Sequence, residues 1–182
     1  MKIISGKYKG LKITGEKIIG TRPTMARVRE SLFAILTPYL KDAHVLDLFA
    51  GTGALGIQAL SNGAKSCVFV EKNKKMSKIL LNNLINIEEE YKVLAIDFSK
   101  INGCYDLIFL DPPYQSNLLE KALQLIKDKQ LLTLGGLIIC ESEKEKMCYN
   151  GYEIIKEKKY GRKKIIIITK EVDDGTGTNC GT

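Results

Sequence analysis

The chain has 182 residues, with 28 Lys+Arg, 21 Asp+Glu and one His, for a formal charge of +7. That length suits one domain, which can bury about 70% of its unfolded surface without disulfide support. Hydrophobic residues make up 45% and charged residues 27%, no apolar run approaches the ~18 residues of a membrane span, and the N-terminus lacks an apolar signal core. Secreted, membrane and intrinsically disordered classes are therefore excluded, and a cytoplasmic protein is expected.

In chain order, residues 1–20 read as a hairpin. Two β-prone stretches, Lys2 to Ser5 and Leu11 to Thr14, flank a Gly6 to Gly10 turn. Thr24 is placed as the N-cap of a helix from Met25 to Tyr39, whose inner face would carry Val28, Leu32, Ile35, Leu36 and Tyr39. Strands and helices then alternate. The pattern predicts a strand over His44–Phe49 and a helix over Gly53–Asn62. A strand over Cys67–Val70 and a helix from Lys74 to about Glu89 come next. Strands over Lys92–Ile96 and Asp106–Leu110 follow, then a helix over Leu118–Lys129 and a strand over Gly136–Cys140. Tyr152–Lys158 and Lys163–Thr169 form a closing hairpin. Apolar strands alternating with helices predict an α/β fold, Rossmann-like, with a mostly parallel sheet covered on both faces. The closing hairpin requires one of the last strands to run antiparallel. Three pieces are expected: a basic extension over 1–24, a main domain over 25–170, and a disordered Gly/Thr/Asp-rich tail over 171–182.

Charge and cysteine usage are both uneven. Eight bases and two acids fall within residues 1–30, leaving 20 bases and 19 acids elsewhere. Three of the four arginines (Arg22, Arg27, Arg29) lie in that segment, and Arg162 lies in a second basic run from Lys156 to Lys164. An anionic partner is implied, with nucleic acid first. Lys7, Lys9, Arg22, Arg27, Arg29 and Arg162 are the candidate contacts with that partner. Of the five cysteines, Cys67 and Cys140 sit in strand-like runs and read as small core residues, and Cys104 reads as structural. No C-x-x-C pair accompanies the single His44, so no metal site is expected.

Two motifs carry chemistry. The first is Asp47-Leu48-Phe49-Ala50-Gly51-Thr52-Gly53-Ala54-Leu55-Gly56, between a strand and a helix. Its glycines allow close backbone approach, and Glu71, ending the next strand, can accept from two ribose hydroxyls. The glycines alone leave a dinucleotide and S-adenosylmethionine both open. Asp47 decides between them, because a carboxylate there suits a cationic methionine end and repels a pyrophosphate. The unit is also not the first strand of the chain. Asp97 can accept from an adenine amino group, with Phe98 beside it as a ring contact. The second motif is Asp111-Pro112-Pro113-Tyr114. An exocyclic amino nitrogen has a delocalised lone pair and needs acceptors for its hydrogens. The Asp111 carboxylate and the Pro112 carbonyl can supply them, the prolines fix that carbonyl's direction, and Tyr114 offers a stacking face.

With these motifs the chain resembles a class I S-adenosylmethionine-dependent methyltransferase. It is most similar to the bacterial 16S ribosomal RNA guanine-N2 methyltransferases of the RsmD type. The resemblance spans about residues 1–170. It rests on Ile4 to Gly10, Thr21-Arg22-Pro23-Thr24, Arg27 to Phe33, the Asp47–Gly56 loop and Asp111–Tyr114. Ala26 departs from it, where the family often carries an acid. The resemblance implies a seven-stranded sheet with an antiparallel last hairpin strand. It implies that Asp47, Gly51, Gly53, Glu71 and Asp97 contact the cofactor, and that Asp111, Pro112, Pro113 and Tyr114 hold the amino group. The implied substrate is the N2 of one guanine (position 966) in 16S rRNA, free or within an assembling 30S particle, acted on by a monomer. A DNA adenine-N6 methyltransferase shares Asp-Pro-Pro-Tyr, but usually carries a recognition domain for which this length has no room. A protein glutamine methyltransferase would carry Asn at 111. A silent RNA-binding subunit and an NAD-linked oxidoreductase are disfavoured by Asp111 and Asp47.

Overall fold

The computed structural model describes residues 1–15, 23–113, 117–142, 149–161 and 163–171. The expected site residues Arg22, Tyr114 and Arg162 and the tail from 172 lie outside them. Helix α1 spans Pro23–Leu40, followed by β1 (His44–Asp47), α2 (Ala54–Ser61), β2 (Ser66–Val70), α3 (Lys74–Asn83) and β3 (Glu90–Leu94). A 3-10 turn at Phe98–Lys100 precedes β4 (Tyr105–Leu110), α4 (Leu118–Asp128), β5 (Leu132–Ser142), β6 (Tyr152–Tyr160) and β7 (Lys163–Lys170). The strands form one seven-stranded sheet in the order β3-β2-β1-β4-β5-β7-β6. The first five run parallel, and β7 enters antiparallel between β5 and β6. This is the expected α/β architecture.

Burial explains the layers. One core, under α1, α2 and α3, joins Phe33, Leu36, Ile57, Leu80 and the sheet residues Val45, Phe69 and Phe109. The other, under α4, joins Leu119, Leu123 and Ile126 to Leu46, Ile108 and Ile138. Alternate residues of β1 and β4 thus face opposite cores, as a doubly covered parallel sheet requires. Cys67 and Cys140 are buried in these cores as expected, whereas Cys104 is exposed.

Four local expectations need correction. Helix α1 starts at Pro23, whose fixed φ suits a first helical position, so Thr24 lies in the first turn and is not the cap. Its buried face is Leu32, Phe33, Leu36 and Leu40, while Tyr39 is exposed. Helix α3 ends at Asn83, and Leu84 and Ile87 reach the core from the turns that follow. Strand β3 sits two residues earlier than expected, because it is an edge strand whose first three residues are exposed.

The N-terminal residues pair as an antiparallel bridge at Lys2 and Lys12. They are fastened to α2 by buried polar groups. Gln58 accepts from the Ile4 N–H at 2.8 Å and donates to the Ser5 carbonyl at 3.1 Å. Ser61 donates to the same carbonyl at 2.6 Å. Lys7 holds the turn to Glu88 and Glu89 at 2.8 and 2.9 Å. These contacts lay the hairpin along α2, with its turn at the Ser61 end of that helix.

Candidate active site

Four strands deliver an acid to one end of the sheet: Asp47 ends β1, Glu71 follows β2, Asp97 follows β3 and Asp111 follows β4. All four line a single cavity of about 1250 Å³, together with Gly51, Phe98, Pro112 and Pro113. The expected cofactor and amino-group motifs therefore meet in one space.

The glycine loop is shaped by steric need. Gly53 caps α2 at φ 81°, and a Cβ there would lie 2.2 Å from a Leu80 methyl. Gly56 lets α2 approach β2, since its Cβ would lie 2.2 Å from the Phe69 ring and 2.7 Å from the Cys67 sulfur. Of the three, Gly51 lies nearest the ligand chemistry. Its N–H donates to Glu71 Oε2 at 2.9 Å, and Asn73 N–H donates to Oε1 at 2.7 Å. Two backbone donors thus fix the Glu71 carboxylate and leave lone pairs for further donors.

Asp47 is 2% exposed, and its Oδ2 accepts from Gly56 N–H at 3.0 Å. Loss of water raises its carboxyl to a pKa of about 7. The Gly56 N–H opposes that shift and the Glu71 charge adds to it. Asp97 behaves oppositely. Lys72 at 2.9 Å and the Ser99 N–H at 3.1 Å hold it at about 2. The Phe98 ring packs against Phe49 with centroids 5.3 Å apart, giving the cavity an aromatic wall. Asp111 and Pro113 are exposed to the cavity mouth and Pro112 is buried.

The donor set fits S-adenosylmethionine. The carboxylates of Asp47, Glu71 and Asp97 match a cationic methionine end, ribose hydroxyls and an adenine amino group, and would oppose a pyrophosphate. Among the described residues, no cluster of three or more His, Cys, Asp or Glu could hold a metal ion.

The basic candidates divide. Arg29 lines the cavity and donates to the Lys2 carbonyl at 3.3 Å. Lys7 is committed to Glu88 and Glu89, Lys9 is exposed in the turn, and Arg27 is exposed on α1. Sequence reasoning missed Lys2 and Lys12, which also line the cavity. Their positions on facing strands of the hairpin were the available signal. It also missed Asn83, which is buried and bonds both the hairpin and the glycine loop. Its Nδ2 donates to the carbonyls of Thr14 at 3.1 Å and Thr52 at 3.0 Å, and its Oδ1 accepts from the Thr14 N–H at 3.0 Å.

The family model described as Conserved hypothetical protein 95 matches residues 1–169. Ribosomal RNA small subunit methyltransferase D of Haemophilus influenzae is 37% identical over 172 residues, covering 88% of this chain and 89% of that protein. The Escherichia coli K12 protein of the same name is 38% identical over 150 residues, covering 80% and 76%. A solved structure described as a putative methyltransferase from Escherichia coli superposes with a TM-score of 0.84 at 34% identity, covering 95% of this chain and 99% of that one.

Proposed function

The chain belongs to the Conserved hypothetical protein 95 family, and on that premise we propose that it methylates the exocyclic N2 of one guanine in 16S ribosomal RNA. The observation that carries this reading is the convergence of Asp111-Pro112-Pro113 and the glycine-loop acids on one cavity. The two relatives compared above are named as small-subunit rRNA methyltransferases, which supports the RNA as substrate.

Bound S-adenosylmethionine supplies a methyl group on a cationic sulfur. Glu71 would hold the ribose hydroxyls, Asp97 would accept from the adenine amino group with Phe98 beside the ring, and Asp47 would meet the cationic methionine end. The guanine must leave its stack to reach the cavity. Asp111 accepts one hydrogen of its amino group and the Pro112 carbonyl the other, which turns the nitrogen lone pair towards the methyl carbon. Tyr114 stacks on the base. The nitrogen would take the methyl carbon as the carbon–sulfur bond opens, and the proton the nitrogen loses would pass to the Asp111 carboxylate and from it to water. Orientation supplies most of the acceleration. Arg22, Arg27, Arg29 and Arg162, with Lys7 and Lys9, are the contacts assigned to the RNA backbone. The protein works in the cytoplasm as a monomer, on RNA free or in an assembling small subunit.

Nucleoside mass spectrometry of 16S rRNA from a strain lacking the gene tests the reading. One N2-methylguanosine should be missing, and should return with the parent gene but not with Asp111→Ala. In vitro, that variant should keep cofactor binding and lose about a hundredfold or more in methyl transfer. An unchanged rRNA, with N6-methyladenine lost from DNA, would install the adenine reading instead.

A further inference from the structure

A second concavity, of about 540 Å³, lies outside the cofactor cavity. One wall is α1, with Arg27, Val28 and Ser31, and the other is the end of β6, with Lys158, Lys159 and Tyr160. The walls are tied together: Lys158 Nζ donates to Ser31 Oγ at 3.0 Å, and the Tyr160 hydroxyl lies 3.5 Å from the same oxygen. The groove is therefore formed by contacts between sequence-distant elements, not by a loose tail.

Its charge is one-sided. Among the described residues, its charged lining is Arg27, Lys158 and Lys159, with no carboxylate. The neighbouring cations are neutralised, Lys163 by Glu141 and Lys164 by Glu157 at 2.8 Å. Among the described residues, none of Arg27, Lys158 and Lys159 has such a partner. Three cations gathered without a counter-charge repel one another, and a polyanion relieves that repulsion while releasing its own counterions. Position adds a second indication. Val28 lines both this groove and the cofactor cavity, so one turn of α1 separates them. Arg27 faces the outer groove and Arg29 the cavity.

We propose that this groove binds the RNA backbone next to the target nucleotide, with phosphates on Arg27, Lys158 and Lys159 and an adjoining unpaired base against Tyr160. The proposal rests on the rRNA reading above. It adds Lys158, Lys159 and Tyr160 to the RNA surface and gives the strand a path over α1 from the cavity. Lysines there supply backbone affinity without reading sequence, while an aromatic ring takes any base.

The test uses the full chain and a 16S rRNA fragment that the parent protein methylates. The double variant Lys158→Ala/Lys159→Ala should bind the fragment about tenfold or more weakly at low salt, with the slope of log affinity against log salt reduced by about 2. KM for RNA should rise while kcat and S-adenosylhomocysteine affinity stay at parental values, and Lys158→Arg/Lys159→Arg should restore binding. Lys159→Glu, at an exposed position, should weaken RNA binding while retaining the parental melting temperature. Parental RNA affinity and salt slope in both charge-removing variants would overturn the groove assignment. A change in melting temperature or cofactor affinity equal to the change in RNA binding would overturn it as well, since the lysines would then be structural. Failure of the rRNA reading itself shows separately, as a parent protein that transfers no methyl group to the fragment.

Discussion

Asp47 keeps its carboxyl from water in order to hold the start of α2, and buffer pH can expose the cost. Its pKa rises from 3.8 to about 7 on folding, chiefly through burial. Between those values the folded chain carries a proton that the unfolded chain does not. The associated stability is complete below the unfolded pKa and is lost as pH rises through the folded one. Asp47→Asn keeps an acceptor for the Gly56 N–H and removes the titration. The parent's melting temperature should therefore fall relative to the variant between pH 3.8 and about 7. Above that range the unliganded variant should melt higher by on the order of 10 °C. Thermal unfolding across pH checks this, and parallel curves for the two proteins would show that folding does not shift the Asp47 pKa. The acid itself was legible in the sequence because it ends an apolar strand. Its burial was not, since that depends on α2 folding back over the loop.

Elements differ in how far the sequence reveals them. Strands β1, β2 and β4 were legible within one or two residues because buried parallel strands are continuous apolar runs closed by an acid. Strand β3 slipped by two residues because an edge strand lacks that burial pattern. The attachment of the N-terminal hairpin was not legible at all, because it relies on single polar residues 53 to 69 positions away, Gln58 and Asn83. Asn83 is the sharper case. Its side chain bonds Thr14 of the hairpin three times, at the N–H, the hydroxyl (2.9 Å) and the carbonyl, and bonds Thr52 of the glycine loop once. Asn83→Ala leaves the Thr14 N–H and the Thr52 carbonyl without that partner, a cost of about 2–4 kcal/mol. The expected outcome is a melting temperature lower by on the order of 10 °C, with faster hydrogen exchange at Ile13 and Thr14 and weaker cofactor binding. Asn83→Asp keeps the acceptor and loses both donors, so it should fall between. Parental exchange in the hairpin of Asn83→Ala would show that the α2 contacts alone hold it.

At the scale of the molecule, charge is sorted by position. The net +7 belongs mostly to residues 1–30, while the carboxyl ends of the parallel strands gather Asp47, Glu71, Asp97 and Asp111 around one cavity. The sorting follows from topology. Each βα connection places its strand-ending residue at the same edge of the sheet, so acids scattered over 65 positions converge without any local pattern linking them. The convergence was readable because each acid followed a recognisable strand; for Lys2 and Lys12 the chain showed only that they face each other across a hairpin, not that the hairpin packs over the cavity. The same arrangement predicts which ligand stabilises the whole fold. A ligand that binds only the folded state at a hundred times its Kd adds about 2.7 kcal/mol. For a chain of this size that raises the melting temperature by on the order of 5–10 °C. S-adenosylhomocysteine keeps the adenosine and the amino-acid end that Asp97, Glu71 and Asp47 would meet, so it should produce such a rise. NAD presents a pyrophosphate to four carboxylates and should produce none. Thermal shift with each ligand reads both, and Glu71→Ala should reduce the S-adenosylhomocysteine shift by removing the ribose acceptor. A rise with NAD and none with S-adenosylhomocysteine would overturn the cofactor assignment.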